Sequence, residues 1–201
     1  MATTVKPVAP FIMMRGAKEH LGFSAPGIAQ AIEKFMQESG KAQLQFVTSE
    51  EGWSNNTVED LKPHLHCPLQ IGKDPNLNPQ NMGTCPHRKD RKKTLEHTTY
   101  NSQKQNRAAQ FELPPGPGAE SKRQLYSRVS KCVATNVAGG DTLVVFVTHD
   151  KPLNAYFKGL NLAKIFTDST QKSFLHGRPG HGELFMVKKI DGKFIALERK
   201  A

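Results

Sequence analysis

His149 closes the run Leu143-Val144-Val145-Phe146-Val147-Thr148 and stands just before Asp150-Lys151-Pro152. An unbroken apolar run rich in β-branched residues describes a strand buried on both faces. Its carboxyl end then offers an imidazole where open α/β sheets keep their ligand sites. Such a ring can move a proton, or it can hold a phosphate or carboxylate by donating an N–H. Arg15 ends a second apolar run, Ala9-Pro10-Phe11-Ile12-Met13-Met14, and would add a permanent charge at another strand tip. Two further groups have chemical capacity. His66, Cys67, Cys85 and His87 carry metal-capable atoms, but their spacing fits neither a C-x-x-C nor an H-x-x-x-H pattern, and a structural zinc needs four tetrahedral ligands. No metal is expected there: free cysteines and surface histidines are one account, a Cys67–Cys85 disulfide another. Arg88, Lys89, Arg91, Lys92 and Lys93 form a basic run suited to a phosphate backbone or to a protein neighbour, with only Tyr100 and Phe111 nearby as stacking aromatics.

The 201 residues suffice for one domain with a sizeable core. Nothing approaches the roughly 18 consecutive apolar residues of a membrane span. The opening MATTVKPVAP lacks the charged-then-apolar layout of a secretory signal, and three cysteines do not make a disulfide scaffold. An intracellular setting is therefore expected, mitochondrial or cytoplasmic. The net charge of +10 favours acidic neighbours such as RNA or acidic protein subunits, and is equally met by a solvated basic surface. No cofactor is expected.

These residues need elements to hold them. Ala9 to Arg15 reads as a first strand. Ser24 can cap a helix that has Pro26 in its first turn and Ile28, Ala31, Ile32, Phe35 and Met36 on one face, with Gly40 as its stop. Leu44 to Thr48 reads as a second strand, and Thr57 to Leu61 as a helix ended by Pro63. Residues 64–117 are rich in Pro, Asn, Gln, Lys and Arg with no sustained period, which describes a long polar, basic arm or insertion. A helix follows with Leu125, Val129, Cys132, Val133 and Val137 on one face, then the His149 strand and its helix. Glu183–Val187 and Lys193–Leu197 around Asp191-Gly192 read as a closing hairpin. The alternation predicts an α/β three-layer sandwich: a mostly parallel central sheet, helices on both faces and an antiparallel C-terminal edge hairpin, forming one domain over 1–201.

Five stretches, in order, carry a family resemblance: Arg15-Gly16-Ala17 after the first strand; the helix start Ser24-Ala25-Pro26-Gly27-Ile28-Ala29-Gln30-Ala31; Thr48-Ser49-Glu50-Glu51-Gly52-Trp53-Ser54-Asn55-Asn56-Thr57-Val58; Glu120-Ser121 leading to Arg128-Val129; and Val147-Thr148-His149-Asp150-Lys151-Pro152. The layout resembles the histidine phosphatase, or phosphoglycerate mutase-like, superfamily over nearly all the chain outside 64–117. In that family the first strand ends Arg-His-Gly/Ala, the second runs into Ser-Ser-Pro-x-x-Arg-Ala, and the central strand ends Ser-His-Gly-x-Pro.

What the resemblance implies is a histidine that attacks phosphorus, with two arginines and a second histidine around the phosphate. This chain has Gly16 at the first histidine and Trp53 at the second arginine, while Arg15 and His149 match. A glycine cannot be a nucleophile, and no glutamate in 64–117 is assigned as the catalytic acid. His20 is the other candidate nucleophile. The expected pocket is thus a degenerate set, Arg15, Gly16, Trp53 and His149, with no catalytic residue. Arg15 and His149 are its candidate ligand-binding residues, and the Trp53 ring would fill the cleft. The chain is expected to be a non-catalytic, accessory subunit of a larger assembly, such as a mitochondrial complex or a ribosome, with other protein subunits as partners. An RNA-associated protein, or a residual phosphatase or phospho-ligand binder, are the alternatives.

Overall fold

A computed structural model describes residues 9–17, 24–84, 87–137, 140–163, 180–190 and 193–199; His20, Cys85 and the Asp191-Gly192 turn lie outside them. Strand β1 (Phe11–Arg15) alternates its side chains between two apolar layers. Phe11 and Met13 face one side, Ile12 and Met14 the other, and all four are fully buried. Strand β4 (Thr142–Thr148) does the same with Val144 and Phe146 against Leu143, Val145 and Val147. Both are therefore interior strands, as their continuous apolar runs predict.

Strand β2 (Gln43–Thr48) lies on one side of β4 and β1 on the other, all parallel. The sheet order is β3-β2-β4-β1-β5-β6, where β3 (Leu69–Lys73) runs parallel to β2. Strands β5 (Leu184–Ile190) and β6 (Lys193–Arg199) form the antiparallel edge hairpin, β5 pairing against β1.

One face of the sheet is covered by helices α1 (Ala25–Glu38) and α2 (Gly52–Leu61). Ser24 caps α1 by accepting from the Gly27 amide at 3.4 Å, and Ile28, Ala29, Ile32, Phe35 and Met36 enter the core. The helix stops at Gly40, whose φ of 63° suits a residue without Cβ, while the Lys41 amide donates back to the Met36 carbonyl at 2.9 Å. Helix α2 begins at Gly52, five positions before the expected Thr57, because polar Ser54 and Asn55 mask its start in the sequence. In the fold these residues have local work: Asn55 accepts from the Thr48 hydroxyl at 2.9 Å. The opposite face carries α6 (Lys122–Asn136) and α7 (Asp150–Leu162), completing the three-layer sandwich. Ser121 and Gln124 form a reciprocal capping box at the start of α6.

The stretch 64–117, expected as a long polar, basic arm or insertion, contains secondary structure of its own. Residues 69–73 are the edge strand β3, paired residue for residue with Leu44–Thr48. Short helices α3 (Arg88–Arg91), α4 (Leu95–Ser102) and α5 (Arg107–Glu112) follow; Leu77 is buried in the core, and Phe111 is buried against Tyr126 of α6. Polarity hid these elements: β3 is an edge strand with a largely wet surface, and the helices are too short to show a period. The excursion is closed at its root by a backbone clasp. The Thr84 amide donates to the Pro117 carbonyl at 3.1 Å and the Glu120 amide to the Asn81 carbonyl at 2.9 Å, with Gly83 and Gly118 both at positive φ.

Arg128 ties the residues after β3 to helix α6. Its guanidinium pairs with Glu120, Nε to Oε1 at 2.7 Å, and donates to the carbonyls of Asn78 and Pro79 at 2.7 and 3.0 Å. One planar fork thereby serves a carboxylate and the loop that follows β3.

Candidate functional site

Parallel pairing brings three strand tips level. The Gly16 amide donates to the Thr148 carbonyl at 2.8 Å, and the Ser49 amide to the Val147 carbonyl at 3.2 Å. Gly16, Ser49 and His149 are thus held side by side at the ends of β1, β2 and β4, and Trp53 enters from the first turn of α2. The fold brings Arg15, Gly16, Trp53 and His149 to one region.

His149 is 4% exposed, and its Nε2 lies 3.1 Å from the Ser49 hydroxyl. Ser49 donates its own proton to Ser54 Oγ at 2.7 Å, so the network assigns His149 Nε2–H as donor and Ser49 as acceptor. The Trp53 ring meets the imidazole edge to face, with centroids 4.7 Å apart, and its indole N–H donates to Glu51 at 3.1 Å. The same Glu51 carboxylate stands 3.8 Å from His149 Nε2. Burial lowers the His149 pKa from its ordinary 6.5; Glu51 and Asp150 oppose this, while Arg15 and Arg128 add to it.

Gly16 fits its place closely. A Cβ built there would lie 3.5 Å from Thr57 Oγ1 and 3.6 Å from Ser54, ordinary contact distances, so a methyl group is accommodated without displacement. Thr57 also accepts from the Ala17 amide at 2.9 Å, tying α2 to the β1 tip. Arg15 Nη2 lies 3.1 Å from His181 Nε2, and His181 Nδ1 lies 3.2 Å from the Gly16 carbonyl. A guanidinium can only donate, so His181 is the Nδ1–H tautomer bridging Arg15 and Gly16.

Sequence reasoning did not single out His181, Ser54, Glu51 or Thr57. The signal for His181 was topological: β5 pairs antiparallel to β1, with Leu184 opposite Met14, so the residues just before β5 must return to the β1 tip.

The other named residues do not join this site. His66 is exposed and faces Glu33, with Nδ1 3.6 Å from Oε1, while Cys67 is a free thiol. His87 is exposed. Among the described residues no group of three or more His, Cys, Asp or Glu side chains could hold a metal. Lys89, Lys92 and Lys93 are exposed on α3 and the turn after it, whereas the stem of Arg91 packs on Gly116. No helix among the described residues is long and apolar enough to cross a membrane.

The buried imidazole gives a pH prediction. A histidine with a lowered folded pKa is protonated more readily in the unfolded chain, so its contribution to stability is complete above about 6.5 and is lost as pH falls through the folded value. Urea melts between pH 7.5 and 5 should show stability falling with pH in the wild type and a flatter profile in His149→Gln. Parallel profiles would refute the assignment.

The polar groups gathered at the carboxyl ends of β1, β2 and β4 lie where open, mostly parallel α/β sheets hold their ligands. The chain belongs to the histidine phosphatase superfamily (branch 1), whose family model matches residues 23–168, a span that begins after the β1 tip and Gly16. Similar solved structures include YhfR of Bacillus stearothermophilus, with 15% identity, a TM-score of 0.61 and coverage of 94% of this chain and 96% of that one. The mycobacterial glucosyl-3-phosphoglycerate phosphatase has 16% identity and a TM-score of 0.56 over 95% and 97% of the two chains. The alpha-ribazole phosphatase of Shigella flexneri has 14% identity and a TM-score of 0.56 over 96% of each chain. At these identities the likeness is one of fold. No curated protein matches the sequence.

Proposed function

We propose that this chain is a non-catalytic histidine phosphatase relative that serves as an accessory or structural subunit of a larger assembly. The observation that carries this reading is the pair at the strand tips. A glycine stands beside His149, where the family resemblance calls for a nucleophile, and the Trp53 ring lies against the imidazole at 4.7 Å, where it calls for an arginine. Without a nucleophile the covalent route through a phosphoenzyme is closed. Without the second guanidinium, charge building on a transferring phosphoryl group loses a bidentate partner. Glu51, 3.8 Å from His149, adds a negative charge that opposes phosphate entry. The net charge of +10 supports residence among acidic neighbours, and a mitochondrial complex or a ribosome would supply them.

A second reading, retained binding of a phospho-ligand without turnover, draws on Arg15, which ends the strand beside β4 and whose charge lowers the His149 pKa.

The test is native mass together with turnover. In a gently prepared extract the chain should run far above its own 22.3 kDa, and the isolated protein should hydrolyse phosphomonoesters no faster than its His149→Ala variant. A free 22.3 kDa species with turnover that His149→Ala abolishes would overturn the reading.

A further inference from the structure

A second concave site lies away from the strand tips, between the start of α6, the end of α7 and the α5 region. It is a cavity of about 180 Å³ with Lys104, Arg107, Lys122 and Lys158 on its walls. Lys158 is nine positions along α7 from His149, an axial rise of about 13 Å, so the cavity is separate from the site above. We infer that this cavity is an anion site that takes a compact ligand carrying two or more phosphoryl groups.

Three features support this. First, the cations are held together without an acid: among the described residues, no salt bridge joins any of the four to a carboxylate. Glu112, the nearest acid in sequence on α5, is engaged by Arg123 at 2.8 Å. Second, two of the charges are half-buried. The Lys122 ammonium sits 5.1 Å from the Tyr100 ring centroid, and burial lowers the pKa of both Lys122 and Lys158, with Lys122 and Arg107 lowering that of Lys158 further. Like charges gathered in a concave, partly dry place are relieved by an anion. Third, the remaining lining suits phosphoryl oxygens. Gln110 and Asn161 add side-chain amides, and the buried Phe111 gives a rigid apolar floor. One phosphate would leave most of this charge unmet; a diphosphate offers enough oxygens and charge for four cations. The concave shape, with Phe111 as floor, favours a compact ligand over an extended nucleic-acid strand.

The experiment uses inorganic pyrophosphate as the probe, with thermal shift and calorimetry on the full chain at low salt. Wild type should bind pyrophosphate, and about tenfold more tightly than orthophosphate. Lys122→Gln/Lys158→Gln should lose that binding while melting no lower than wild type without ligand, because repulsion has been removed. Arg107→Gln, an exposed change, should weaken binding independently and covers the case in which the lysine pair disturbs folding. Arg15→Gln should leave pyrophosphate binding intact. The inference is overturned if wild type gives no response, if sulfate at equal ionic strength matches it, or if Arg15→Gln abolishes it. It is also overturned if a single-stranded oligoribonucleotide binds here and pyrophosphate cannot displace it.

Discussion

Gly16→His combined with Trp53→Arg should raise hydrolysis of p-nitrophenyl phosphate by about 100-fold or more over the wild-type chain, since on the proposed non-catalytic reading a working nucleophile opens a covalent route that the wild type lacks. The scaffold for such a gain is in place. The Gly16 position accepts a Cβ at 3.5 Å from Thr57, and His149 is already oriented by Ser49. Position 53 begins beside Glu51, however, and an arginine there would be drawn to that carboxylate as the indole N–H now is. Adding Glu51→Gln should therefore increase turnover further, by freeing the new guanidinium for phosphate. His149→Ala on the double-variant background should remove the gain. Steady-state rates across these four chains are the check, and a wild type already as active as the triple variant would contradict the proposed loss of catalysis.

The second large effect is on stability. Gly83→Ala should cost about 3 kcal/mol, combining roughly 1–2 kcal/mol for a left-handed backbone with an overpacking cost of similar size. The Gly83 φ is 76°, and a Cβ there would fall 2.0 Å from the Pro117 carbonyl oxygen and 2.6 Å from the Ala119 nitrogen, backbone atoms that cannot swing aside. For a chain of this length that corresponds to a Tm lower by about 6–12 °C. Gly40→Ala is the matched control. It has the same kind of backbone, φ 63°, but nothing within 4 Å of the new Cβ, so only the conformational cost of about 1–2 kcal/mol should appear. Equal Tm losses in the two variants would show that the clasp is not tight.

The contrast between these glycines reflects what the sequence discloses. Where a single element explains itself, it was legible: Leu143–Val147 as a central strand, Ser24 and Gly40 as the ends of a helix, the closing hairpin. Where an element exists only because of a distant partner, it was not. Leu69–Lys73 becomes a strand because β2 offers it an edge, and its own residues are polar enough to pass for loop. The early start of α2 is fixed by Thr48, Ser49 and Ala17, which lie at or just beyond the tips of β2 and β1. The site divides the same way. Arg15, Gly16, Trp53 and His149 could be named from strand tips and family resemblance, and the fold gathers them. The proton order around them could not be foreseen, because it depends on His181, which arrives only through the pairing of β5 with β1, and on Ser49 choosing Ser54 as its acceptor.

The hydrogen-bonded neck formed by Asn81–Thr84 with Pro117–Glu120 has a topological consequence. A segment whose two ends are fastened together can change length at its tip without the sheet responding. The entropy of closing a loop grows only with the logarithm of its length, so doubling the chain carried between the two sides would cost about 0.6 kcal/mol. The exposed Lys92-Lys93 turn is thus a place where foreign sequence, or new chain ends, can be introduced while the six strands keep their register.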